Sequence, residues 1–170
     1  MTKEISCFKA YDVRGRIPSE LNEDVAYRIG AGVASYFGAE SVVVGYDVRP
    51  SSIDILNALT KGINSKGAKV YSIGLCGTEE IYFATNHLNT DAGVMITASH
   101  NPADYNGLKI VGKGAKPVSM DSGLDEIKNI AEASQSKIDK EPVIEIIDVK
   151  NEYIDKLMEF IDPKKIKPMK

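Results

Sequence analysis

Residues 97–109 read TASHNPADYNGLK. They place a hydroxyl at Ser99, an imidazole at His100, an amide at Asn101 and an ammonium at Lys109 just after the apolar run AGVMI. A serine in such a loop could serve as a nucleophile or as a phosphoryl acceptor. The hydrolytic reading is weak, because both the Gly-x-Ser-x-Gly elbow and a Ser-x-x-Lys arrangement are missing at this serine. Adjacent side chains of an extended segment point to opposite sides, so His100 is expected to be badly placed to take the Ser99 proton. His87, the other histidine, falls on a predicted helix and reads as a packed or surface residue. A catalytic triad is therefore not expected.

Phosphoryl transfer suits these residue types better. A transferring phosphoryl group carries charge on several oxygens and needs fixed cations and N–H donors around it. Lys109, Arg14 in YDVRG and Arg49 in YDVRPSS can supply that charge. Each arginine stands beside an aspartate in a Gly/Pro-rich loop, and a lone surface Asp–Arg pair contributes little. Both follow short apolar segments, however, which would bring both to the rim that carries Ser99. No Walker-type loop is present, and VGKGAKP (residues 111–117) reads as a hairpin turn rather than a phosphate cradle. No Asp-x-Asp-x-Asp cluster or histidine pair offers converging metal ligands. A Mg²⁺ acting with Ser99 would need carboxylates from elsewhere.

The elements that must hold these groups are legible from periodicity. Asn22 reads as an N-cap with Glu23 and Asp24 behind it, and Val25, Ile29, Val33 and Phe37 form one helical stripe that stops at Gly38. SVVVGY and AKVYSIG read as buried strands, with a helix capped by Ser51 or Ser52 between them and ending near Gly67. A third helix opens at Thr78. AGVMIT and GLKIVG are two further strands, and a helix starts near Ser122. DVRGRIPSE reads as a turn-rich segment. Alternating strands and helices predict a three-layer α/β/α fold with a mainly parallel sheet. The link between the last two strands is too short for a helix, and Asn106-Gly107 favours a turn. That pair is expected to be antiparallel and the sheet mixed. Residues 133–149 read as lying outside this core, as a linker or edge segment. A final helix follows with Ile154, Leu157, Met158 and Ile161 on one face, and the lysine-rich end reads as a solvated connector.

Bulk properties agree with a globular domain. The chain has 170 residues, 43% hydrophobic and 26% charged, with a net charge of −3 that gives no reason to expect nucleic-acid binding. No apolar run approaches a membrane span, and the N-terminal residues do not read as a signal peptide, so the cytoplasm is the expected location. Cys7 and Cys76 read as reduced thiols.

TASHNPADYNGLK resembles the active-site serine loop of the α-D-phosphohexomutases. FKAYDVRG is similar to their amino-terminal motif, and VVGYDVRPSS to their second loop, with Tyr46 where arginine is usual. GTEEIYFAT makes the chain most similar to the bacterial phosphomannomutase branch, which feeds GDP-mannose synthesis. The resemblance implies that residues 1–135 are the phosphoserine domain, residues 136–150 a linker or edge segment, and residues 151–170 the start of a second, truncated domain. It implies that Ser99 carries a phosphoryl group with Mg²⁺ bound to a phosphate oxygen. This group would pass to mannose 6-phosphate or mannose 1-phosphate through a hexose 1,6-bisphosphate intermediate. Lys109, Arg14 and His100 would act in catalysis, His100 and Asn101 would also shape the loop, and Tyr11, Asn101 and Arg49 would meet substrate. It also implies three further domains carrying the metal and sugar contacts, so that these residues alone would be inactive. The alternatives are a sister mutase acting on glucose or glucosamine phosphates, and a non-catalytic module that binds sugar phosphates or a partner chain.

Overall fold

The computed structural model describes residues 4–136, 140–162 and 165–166. Its elements are β1 (Val13–Arg16), α1 (Glu23–Phe37), β2 (Ser41–Tyr46), α2 (Ser52–Asn64), β3 (Lys69–Leu75), α3 (Thr78–His87), β4 (Ala92–Ile96), β5 (Tyr105–Gly112), β6 (Lys116–Pro117), α4 (Leu124–Ala133), β7 (Ile144–Ile146) and α5 (Lys150–Met158). The strands form one sheet in the order β1-β5-β4-β2-β3-β7, with β6 added to β5. β4, β2, β3 and β7 run parallel, while β5 lies antiparallel to both β4 and β1. The sheet is thus mixed and the architecture three-layered, as the element pattern predicts.

Why these residues form these elements follows from capping and burial. The Asn22 side chain accepts from the Val25 N–H at 3.0 Å, and Gly38 ends α1 at φ 55°. The central strand β2 buries Val42, Val43 and Val44 completely, because helices cover both faces. Val42 and Val44 belong to the same buried cluster as Ile29 and Val33 of α1, Leu59 of α2 and Ile127 of α4. Val43 faces the other layer, with Ala84 of α3 and with Val149 just before α5.

Three local expectations are corrected. DVRGRIPSE holds β1, an edge strand whose alternating arginines hide it from a search for apolar runs. Asn106-Gly107 is no turn. It lies inside β5, where Gly107 pairs with Arg14 and Asn106 with Gly15. A Cβ on Gly107 would stand 2.2 Å from the Val13 carbonyl oxygen, so close strand approach explains the glycine. Neither serine caps α2 through its side chain, because Ser52 Oγ donates instead to Asp47 Oδ1 at 2.9 Å. Of the two readings of the tail, the edge segment is the one seen: Val70, Tyr71 and Ser72 of β3 pair with Ile144, Glu145 and Ile146 of the edge strand β7. VGKGAKP does form a hairpin, with Val111 opposite Pro117. Most of the lysine-rich end lies outside the described residues. Among the described residues no helix is long and apolar enough to cross a membrane.

Candidate functional site

Parallel strands β4 and β2 end side by side, and in open α/β sheets loops at that end gather ligand-binding groups. Beyond β4 the chain enters the Ser99 loop; beyond β2 it enters the loop that holds Asp47 and Arg49. A cleft of about 330 Å³ opens between them, lined by Asp47, Val48, Arg49, Pro50, Ser99, Asn101 and Ala103.

Ser99 sits at φ 56°, in the left-handed region, which costs a non-glycine residue free energy and persists only where the surroundings impose it. The Thr97 hydroxyl accepts from the Ser99 N–H at 2.9 Å, and the Asn101 N–H donates to the Ala98 carbonyl. This backbone corrects the expectation for His100. The segment is not extended, and His100 Nδ1 lies 3.2 Å from Ser99 Oγ. His100 shows no carboxylate partner among the described residues, so the pair is still not a triad. His87 is exposed on α3 and stacks on Phe83 at 5.0 Å between ring centroids.

Arg14 of β1 and Lys109 of β5 share one carboxylate, and Arg14 also reaches this loop. Arg14 reaches the Ala98 carbonyl at 3.5 Å, and its Nε and Nη2 each lie 2.9 Å from Asp12 Oδ2. Lys109 Nζ is 3.3 Å from the same oxygen. Asp12, only 8% exposed, is therefore the anion that spaces both cations, and sequence reading passed over it as one half of a surface pair. The signal was present in YDVRG: an aspartate two residues before an arginine lies on the same side of a strand. Gly107 opposite Arg14 leaves the room its side chain needs, since a Cβ there would come within 3.3 Å of Arg14 Cγ.

Arg49 is placed differently. Its Nη1 donates to the carbonyls of Pro102 (2.7 Å) and Tyr105 (2.9 Å), and its Nη2 to those of Ser99 (2.9 Å) and Asn101 (2.7 Å). Its Nε lies 3.3 Å from Asp47 Oδ2, an ion pair without hydrogen-bond alignment. All four terminal N–H donors of Arg49 are thus engaged within the protein. Behind the loop, buried Asn106 donates to Ser51 Oγ at 2.9 Å and Ser52 Oγ at 3.2 Å, tying β5 to the start of α2. Tyr11 is 77% exposed on the loop before β1, and no contact joins it to Ser99.

The family model described as phosphoglucomutase/phosphomannomutase, alpha/beta/alpha domain I, matches residues 6–137. The chain belongs to the phosphoglucomutase/phosphomannomutase family. It is 45% identical to the phosphomannomutase of Escherichia coli strain K12 over 99% of its length, and 48% identical to that of Salmonella typhimurium over 100%. It spans 38% of the length of each of these curated relatives. A family protein from Burkholderia thailandensis superimposes with TM-score 0.79 at 32% identity, over 95% of this chain and 37% of that one. A solved structure from Thermus thermophilus gives TM-score 0.85 at 28% identity, over 96% of this chain and 38% of its own. The family likeness therefore rests on sequence and on fold together.

The donors present do not suit Mg²⁺. Among the described residues no group of three or more His, Cys, Asp or Glu is arranged to hold a metal ion. The nearby carboxylates are held by cations, Asp12 by Arg14 and Lys109 and Asp47 by Arg49. These residues do not by themselves make a metal site, and no step is derived through one.

Proposed function

We propose that this chain is the phosphoserine domain of a phosphomannomutase, with Ser99 as the phosphoryl carrier. The observation that carries the reading is the placement of Ser99 at the strand end, left-handed and exposed, next to the Ala98 carbonyl that Arg14 reaches, with Arg14 and Lys109 sharing the buried Asp12. In the proposed reaction the Ser99 Oγ–P bond breaks while a P–O bond forms to a hydroxyl of mannose 6-phosphate or mannose 1-phosphate. Ser99 Oγ leaves with a proton, and a hexose 1,6-bisphosphate is formed. The bisphosphate turns over, and its other phosphoryl group returns to Ser99.

Arg14 and Lys109 stabilise the charge on the transferring group, a role that needs fixed cations more than a general base. His100 holds the Ser99 oxygen when it is free, Asn101 shapes the loop, and Tyr11 offers its exposed ring to the sugar. Mg²⁺ would add positive charge to the transfer, on ligands other than Asp12 and Asp47, which the cations already hold. Residues 1–135 form the phosphoserine domain in this reading, residues 136–150 the edge segment, and residues 151–170 the start of a second domain.

A chimera tests the proposal: this chain replaces the corresponding 38% of the Salmonella phosphomannomutase. Mg²⁺-dependent conversion of mannose 6-phosphate should appear, and Ser99→Ala should lower it by about 10³-fold or more. Undiminished conversion in Ser99→Ala would overturn the assignment. The family description also covers phosphoglucomutases, and competition between mannose and glucose phosphates in the chimera separates those two substrates.

A further inference from the structure

We propose that Arg49 is a positioning residue that locks the Ser99 loop in its presenting conformation, rather than a ligand of the substrate phosphate. The inference rests on the phosphoserine reading of Ser99 for its purpose, but not for its geometry. Four carbonyls of one short loop, those of Ser99, Asn101, Pro102 and Tyr105, turn toward a single guanidinium at 2.7–2.9 Å. Carbonyls converging in this way repel one another, and those of Ser99 and Asn101 lie outside the strand pairing that could satisfy them. A planar cation with paired donors resolves both problems at once.

The lock is itself anchored. Asp47 Oδ1 accepts from the Arg49 backbone N–H at 3.1 Å and from Ser52 Oγ at 2.9 Å, fixing the loop to the start of α2. The Arg49 side chain is 11% exposed, so water competes little for these bonds. With the Ser99 carbonyl held on the Arg49 side and its N–H held by Thr97, the residue is fixed at φ 56° from both ends. The hydroxyl stays at the rim, and the cations that meet a phosphate are left to be Arg14 and Lys109.

The strain of a left-handed serine identifies the quantity to measure. Lysine carries one ammonium with three donors and cannot meet four oxygens in a plane. In isotope-labelled chain, Arg49→Lys should shift the Ser99 Cα resonance from its left-handed value toward the extended range. It should also speed amide exchange of Ser99, Asn101 and Tyr105 by about tenfold or more, while β2 and β4 amides keep their rates. Arg14→Lys, whose single contact to this loop is 3.5 Å long, should leave the Ser99 resonance and the loop exchange unchanged. A merely structural Arg49 would speed exchange evenly through the sheet. That result, or a wild-type Ser99 signature in Arg49→Lys, would overturn the proposal. Should Arg49→Lys not fold, Asp47→Asn weakens the anchor and must loosen the same three amides first. These readouts need no phosphate on Ser99, so they succeed or fail separately from the phosphoryl-carrier reading.

Discussion

Asp12 is the residue on which the charge balance of the rim turns. Its carboxylate holds Arg14 at 2.9 Å and Lys109 at 3.3 Å. Asp12→Asn keeps the shape and removes the charge, leaving two cations side by side with no anion. Chemical acetylation should then modify Lys109 faster than in the parent chain, and urea unfolding should report a loss of roughly 1–3 kcal/mol. The cysteines lie at the opposite extreme of reactivity. Burial pushes both Cys7 and Cys76 up to about 12. The folded thiols hold their protons more tightly than the unfolded ones, so this contribution to stability is complete below about pH 9. It is lost as the pH rises from there toward 12. At pH 8 a thiol reagent should react slowly with native chain and rapidly with urea-unfolded chain. The chemistry-bearing side chains were legible in part, since Arg14 and Lys109 share Asp12 and Arg14 reaches the Ser99 loop at the Ala98 carbonyl. What could not be read was the backbone that aims them. Ser99 takes a left-handed conformation that serine rarely adopts, and an extended-chain argument therefore separated it wrongly from His100.

At the scale of elements, legibility followed the strength of the periodic signal. α1 was readable because cap, stripe and stop coincide, and its cap can be tested alone: Asn22→Ala should cost about 1 kcal/mol, seen as a lower urea midpoint at unchanged slope. β2 and β4 were readable because strands buried on both faces must be apolar throughout. β1 was not, since an edge strand that supplies Arg14 to the rim looks like a polar loop. β5 was misread at one end for a related reason. Asn106-Gly107 has turn chemistry in isolation, yet Asn106 is used to bind Ser51 and Ser52, and Gly107 admits β1 and the Arg14 side chain. Gly107→Ala should therefore destabilise the fold by about 2 kcal/mol or more, with exchange at the β1–β5 pairing rising first.

For the whole molecule, the three-layer sheet brings three sequence-distant motifs to one strand end, and the family model and the solved structures show the same domain. What it does not bring together among the described residues is a metal-binding group. The isolated chain should accordingly show negligible mutase turnover in a coupled assay with Mg²⁺ and mannose phosphates. The helix α5 leaves Ile154, Leu157 and Met158 each more than two-fifths exposed, whereas an apolar stripe on a globular chain is normally covered. The central claim is that Ser99 carries the phosphoryl group, and the intact mass of the chimera after incubation with a hexose 1,6-bisphosphate and Mg²⁺ tests it most directly. The account predicts an increment of one phosphoryl group that disappears in Ser99→Ala. An increment that survives Ser99→Ala, or a chimera that converts mannose phosphates and never gains one, would contradict it.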